Sequence, residues 1–125
     1  MTENSKALQT ALAYYEAWTN HDIDRAMRLI AHDIVCHAPA GRLDGAEAFC
    51  GFMKPFSQIV TRSELIAAFG DDRTAMLMYD TDTVSVPTAP GADYLTVVAA
   101  TMTEIRIIFD RAPGVAARQS PKSER

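Results

Sequence analysis

Two cysteines, Cys36 and Cys50, are all that the 125 residues contain. They form no C-x-x-C pair, so neither a disulfide framework nor a cysteine-held metal is expected, and both thiols should be reduced and buried. Basic clusters are missing too. Twelve Lys and Arg against 16 Asp and Glu leave a net charge of −4, which excludes the electrostatic footprint of a nucleic-acid binder. The longest apolar runs fall far short of the roughly 20 residues that a membrane helix needs. No charged stretch followed by an apolar one opens the chain, so no secretory leader is expected and a cytoplasmic location follows. The three histidines lack any H-E-x-x-H spacing, and the six glycines are scattered rather than gathered into a phosphate loop. No nucleophile elbow is present. These gaps predict a protein without metal or other cofactor, and without a nucleic-acid or membrane partner.

What is there is one domain's worth of core. The chain is 48% hydrophobic, enough to fold without staples. A domain over residues 4–113 is expected, followed by a tail over residues 114–125 rich in Ala, Ser, Lys and Arg and predicted to be disordered. Leu8, Ala11, Leu12, Tyr15 and Trp18 recur at helical spacing over residues 4–19, with Tyr14 on the edge of that stripe. Asp22 is placed to cap a short second helix carrying Ile23, Ala26, Met27 and Ile30, ended by His32-Asp33. Ile34 to Ala38 reads as a strand and Pro39-Ala40-Gly41 as a turn. Asp44, with Glu47 three residues on, has the spacing of a capping box for a third helix carrying Phe49, Met53, Phe56 and Ile59. Pro55 inside that pattern predicts a kink or an early end.

From Val60 the period becomes two. Strands are predicted over residues 61–69, 74–86, 94–98 and 101–110, with turns at Gly70-Asp71-Asp72 and at Pro87 to Gly91. Ala99-Ala100 carries no turn residue, so either a hairpin or one long bent strand fits there. Three helices set on one face of a strongly curved, mostly antiparallel sheet make an α+β cone whose open end is a natural pocket. Several strands are apolar on both faces, Leu77 and Tyr79 against Met76 and Met78 for example. A homodimer through the outer face of the sheet is therefore expected.

Tyr14 could offer its hydroxyl to a ligand carbonyl or enolate, or simply be core with a wet hydroxyl. Asp80 and Asp82 share one strand face with Met76 and Met78. They form an acid–base pair, or both sit at a solvated strand end, or one pairs with an arginine such as Arg62 or Arg106. His37 is the one histidine in a predicted strand, either a base at the pocket mouth or a residue of the outer face. Trp18, Phe49, Phe52, Met53 and Tyr79 fit an apolar lining. The expected partner is a small apolar molecule.

The run D-x-x-x-A-x-x-x-x-A-x-D-x-V from Asp22 to Val35, H-x-P-x-G from His37 to Gly41, the helix start at Gly45 and the closing Phe109-Asp110 together resemble the SnoaL-like domains. These belong to the nuclear-transport-factor-2-like superfamily and include polyketide cyclases, and the resemblance spans residues 7–112. It implies the cone-shaped fold, a homodimer, and cofactor-free isomerisation, cyclisation or hydration of a small carbonyl-bearing or polycyclic molecule. A non-catalytic ligand-binding or dimerising module is the alternative. The first 40 residues are similar to ketosteroid isomerases as well. Tyr14 matches their oxyanion-hole tyrosine and Asp93 falls near their second hydrogen-bond donor, but Ala38 stands where their proton-carrying aspartate does. The last aspartate of the limonene-epoxide hydrolase set falls at Ile107. The cyclases' strand aspartate could correspond to Asp80 or Asp82.

Overall fold

A computed structural model describes residues 5–84 and 86–109. These form three helices, α1 (Lys6–Thr19), α2 (Ile23–Met27) and α3 (Ala46–Ile59), and six strands. The strands are β1 (Ile30–Ala38), β2 (Gly41–Asp44), β3 (Val60–Gly70), β4 (Thr74–Thr83), β5 (Ala89–Val98) and β6 (Thr101–Phe109). They make one sheet in the order β2-β1-β6-β5-β4-β3, antiparallel except for β1 against β6. Register shifts interrupt β1, β3 and the β5–β6 pair. Each such bulge bends its strand and adds twist, which curls the sheet into a half-cone. The predicted tail over residues 114–125 lies outside the described residues.

The helices close the concave side. Ala7, Thr10, Ala11, Tyr14, Tyr15, Ala17 and Trp18 are the buried residues of α1; of the stripe expected from spacing Ala11, Tyr15 and Trp18 are buried, whereas Leu8 and Leu12 are only half-buried. The free N–H groups at its start go to the β3–β4 turn: Lys6 N–H donates to the Asp72 carboxylate at 3.1 Å and Ala7 N–H to the Asp71 carbonyl at 3.0 Å. Phe49, Met53 and Ser57 are the fully buried positions of α3. Its end is tied to the end of α1, because Ser57 Oγ donates to the Trp18 carbonyl at 2.7 Å and His21 Nδ1 lies 2.7 Å from the Ser57 carbonyl. That carbonyl is among the last four of α3, which the helix itself cannot satisfy.

Several boundaries differ from the sequence reading. The second helix stops at Met27, and Ile30 belongs to β1, pairing with Met102 of β6. Gly41 to Asp44 is a short strand on β1, so the turn is only Pro39-Ala40. Asp44 therefore does not cap α3. It accepts from Arg42 Nε at 2.9 Å, and Gly45, at φ 96°, is the cap residue. The third helix runs on through Pro55 to Ile59. Pro55 and Gly51 are both exposed, so the carbonyl that loses its N–H partner can turn to water. Strand β4 ends at Thr83, and β5 starts at Ala89, pairing with Thr81, rather than at Tyr94. Ala99-Ala100 is a hairpin with both residues left-handed, at φ 52° and 64°. The pairing of β5 with β6 imposes that geometry on residues that do not favour it.

Candidate functional site

The open end of the cone holds a cavity of about 240 Å³. Its wall comes from Tyr14 of α1, from Phe52, Met53 and Phe56 of α3, from the turn residues Pro39 and Ala40, and from Tyr79, Asp93, Ile107 and Phe109 of the sheet. Cavities of about 150 Å³ accept benzene, so this one has room for a molecule of one or two fused rings. Nearly every wall atom is carbon. The wall residues that carry a polar side-chain group are Tyr14, Tyr79 and Asp93.

These groups come from elements far apart in the chain. Strand alternation turns Ala75, Leu77, Tyr79 and Thr81 inward on β4, and Gly91, Asp93 and Leu95 inward on β5. Straight across from Tyr79 is Gly91, and straight across from Asp93 is Leu77. The Tyr79 ring leans one row along and donates its hydroxyl to Asp93 Oδ1 at 2.9 Å. Asp93 is 1% exposed. Its carboxyl is pushed up to about 7 by desolvation, against which the Tyr79 hydrogen bond works. At neutral pH it can both hold and release a proton, as an acid–base group requires.

The Tyr14 hydroxyl is fully buried and has no hydrogen-bond partner among the described residues. Burial, then the charge of Asp93, then that of Cys36, hold its pKa well above the usual phenol range. It is therefore a neutral donor. The Cys36 thiol, buried behind the site, is pushed up to about 11 by desolvation and by Asp93, so it is inert as a nucleophile. A buried hydroxyl left unbonded costs free energy unless something else occupies the position.

Of the residues singled out from sequence, Tyr14, Phe52, Met53, Tyr79 and Asp93 come together at the cavity. Trp18 and Phe49 stand behind it as core. Trp18 packs edge-on against Tyr79 with ring centroids 5.5 Å apart, and Phe49 lies 6.2 Å from Tyr14. Asp80 and Asp82 do not reach the pocket. Because Tyr79 and Thr81 face inward, both aspartates face outward, where Asp82 accepts from the Thr88 N–H at 2.7 Å and lies 3.9 Å from Arg62. His37 is likewise on the outer face, its Nε2 2.8 Å from Glu104 Oε2, since Ile34 and Cys36 take the inner face of β1.

Sequence reasoning missed Phe56, Ile107, Phe109, Pro39 and Ala40 as wall residues. Phe56 carried a signal as part of the third helix's apolar stripe. Phe109 is seen as wall only once β6 is laid beside β5. The Tyr79–Asp93 bond has no sequence signal, because it depends on the pairing register of two strands.

Residues 11–108 match the SnoaL-like domain family. No curated protein matches the chain. Among solved structures, a protein from Kribbella flavida DSM 17836 is 61% identical, with 90% of this chain and 93% of that chain covered and a TM-score of 0.88. A steroid delta-isomerase from Pseudomonas aeruginosa is 14% identical over 90% of this chain and 85% of that one, with a TM-score of 0.74. An LEH-like epoxide hydrolase of M. tuberculosis is 15% identical over 92% and 90%, also with a TM-score of 0.74. At such identities the last two likenesses are of fold.

Proposed function

The chain belongs to the SnoaL-like domain family and has the nuclear-transport-factor-2-like fold, and from that premise we propose that it binds a small, mainly apolar carbonyl compound or phenol of one or two rings and transfers a proton on it without a cofactor. The observation that supports this reading is that Tyr14, whose buried hydroxyl has no partner among the described residues, lines the same cavity as Asp93. A ligand oxygen seated there accepts from Tyr14. With a ketone bound, Asp93 in its ionised form takes the α-proton as the carbonyl becomes an enolate, and Tyr14 stabilises the oxyanion. Asp93 then returns the proton to the same carbon or to another. The proton carrier is thus Asp93, and not Asp80 or Asp82.

Two measurements test this. By calorimetry 2-naphthol is expected to bind about tenfold tighter than naphthalene, the worth of one good hydrogen bond. Equal affinities would remove the polar corner from the reading. Mass spectrometry of 2-tetralone in D₂O is expected to show faster α-hydrogen exchange with the protein than without it. Binding without exchange would establish the second reading, a non-catalytic ligand carrier. That reading draws on a specific feature: Ala38, at the end of β1 beside the cavity residue Pro39, offers a methyl group where a further base could stand.

The working unit in this proposal is a homodimer joined through the outer face of the sheet. Two rows of side chains in register support it: Phe69, Met76 and Tyr94 across β3, β4 and β5, and Met78, Ala92 and Ile108 across β4, β5 and β6. Phe69 is 72% exposed and Ile108 59%, a contiguous apolar surface of the kind that marks an interface. Ile108→Glu is expected to convert the dimer to monomer in sedimentation velocity at micromolar concentration. A wild-type protein that sediments as a monomer there would dispose of the interface. No described helix is long and apolar enough to cross a membrane, and the two free thiols accord with a reducing, cytoplasmic setting.

A further inference from the structure

Gly91 stands at the centre of an inner-face row, with Tyr79 straight across on β4 and Phe109 straight across on β6. A Cβ at position 91 would lie 2.8 Å from Tyr79 Cε1, 3.2 Å from Tyr79 Cζ and 3.1 Å from Phe109 Cδ1. The φ of Gly91 is not left-handed, so this glycine serves for room and not for backbone freedom. The room is taken by two aromatic rings. Tyr79 has nowhere else to go: it is 3% exposed, and the rings of Tyr15 and Trp18 each pack on it at 5.5 Å.

The direction of the lean matters. Tyr79 faces Gly91, yet its hydroxyl reaches Asp93, two residues further along β5 on the same face. Diagonal neighbours on paired strands lie farther apart than direct ones, within reach of a long aromatic side chain only if the position between them is clear. A side chain at 91 would stand in that path. On its other side the same bare backbone receives Phe109, a wall of the cavity that meets Phe56 edge-on at 5.7 Å.

We infer that Gly91 is a positioning residue of the pocket: its bare backbone is the bed on which Tyr79 lies to hydrogen-bond Asp93 and against which the Phe109 wall is set. Gly91 touches no ligand. It acts through Tyr79 on the proton affinity of the carboxyl. The other titratable groups that sense the Asp93 charge, Tyr14, Tyr15 and Cys36, are coupled to it through space. Tyr79 is the one whose hydrogen bond holds the carboxyl down.

The test follows the Asp93 carboxyl by infrared titration of ¹³C-aspartate-labelled full-length protein, comparing wild type, Tyr79→Phe, Gly91→Ala and the double variant, with Asp93→Asn to identify the band. No ligand is needed, so the result stands apart from the carbonyl-binding reading. Tyr79→Phe keeps the ring and removes the hydroxyl, and should raise the midpoint by about one pH unit. Gly91→Ala should raise it by a similar amount, and the double variant should match Tyr79→Phe. An unmoved midpoint in Gly91→Ala, or a double variant whose shift is the sum of the two, would overturn the inference. Should Gly91→Ala fail to fold, Gly91→Ala combined with Tyr79→Leu and Phe109→Leu decides: recovery of the fold locates the clash at these two rings as inferred, and continued failure overturns it.

Discussion

Tyr14→Phe is expected to stabilise the protein and weaken its ligand in the same stroke. The hydroxyl is buried and unbonded among the described residues, on a residue that lines the largely apolar cavity. An unsatisfied buried hydroxyl carries a desolvation cost on the order of 1–3 kcal/mol, and phenylalanine removes it while keeping the ring against Phe49. Even a gain of about 1 kcal/mol would raise Tm by about 4 °C in a chain of 125 residues. Affinity for 2-naphthol should fall about tenfold, whereas affinity for naphthalene should hold or improve. Differential scanning fluorimetry and calorimetry on the two proteins read both effects. A Tm that falls would mean the hydroxyl already has a partner, and unchanged naphthol affinity would mean the ligand's oxygen sits elsewhere.

Asp93 should make the fold less stable as pH rises toward neutrality, the reverse of the usual behaviour of a paired carboxylate. Its carboxyl is held at about 7 in the folded chain, against about 3.9 for an aspartate in the unfolded chain. Below about pH 4 both states hold the proton, and the raised affinity contributes in full. As pH rises from there the unfolded chain ionises while the folded chain keeps its proton, so stability is lost continuously. The loss ends near pH 7, where the folded carboxyl ionises too, after roughly 4 kcal/mol in total. Asp93→Asn cannot titrate, and its amide oxygen can still accept from Tyr79. The variant should show a flat stability profile from pH 5 to 8 and exceed the wild type at pH 8. Exchange of 2-tetralone should fall about 100-fold or more in the variant, the scale of a lost general base. Chemical denaturation across that pH range checks the first part; a wild-type profile that is flat or rising would show that Asp93 is not the buried acid described.

Asp71 has the opposite sign and marks the contrast between the two aspartates. Its exposed carboxylate accepts from the N–H groups of Thr74 and Arg73, which holds it below the usual carboxylate range. Any stability it confers is present at neutral pH and fades in acid, so a window starting at pH 5 keeps the two effects apart.

Much of the fold could be read from local pattern. The helical spacing of Ala11, Tyr15 and Trp18 gave α1 its buried face, and the switch to a period of two at Val60 marked the start of the long hairpins. Local pattern failed where long-range pairing outbid it. Asp44 with Glu47 has capping-box spacing, but the hydrogen bonds of β1 draw residues 41–44 into an edge strand. Ile30 continues the apolar face of α2, but β6 offers it a parallel partner in Met102. The Ala99-Ala100 hairpin has no turn chemistry of its own, and the register of β5 against β6 forces it.

By itself the sequence pointed to three helices over a curled sheet, and it named Tyr14, Tyr79 and Asp93 among its candidate residues. It could not determine which face of β4 is the inner one. Alternation puts Asp80 and Asp82 with Met76 and Met78, and Leu77 with Tyr79, but both sets are apolar enough to be core. The choice falls to the docking of α1, whose Tyr15 and Trp18 rings pack onto Tyr79. That contact turns one set of carboxylates out to water and leaves Asp93 as the buried carboxyl among the described residues. A period of two assigns residues to opposite faces, and only packing against a third element says which face is dry.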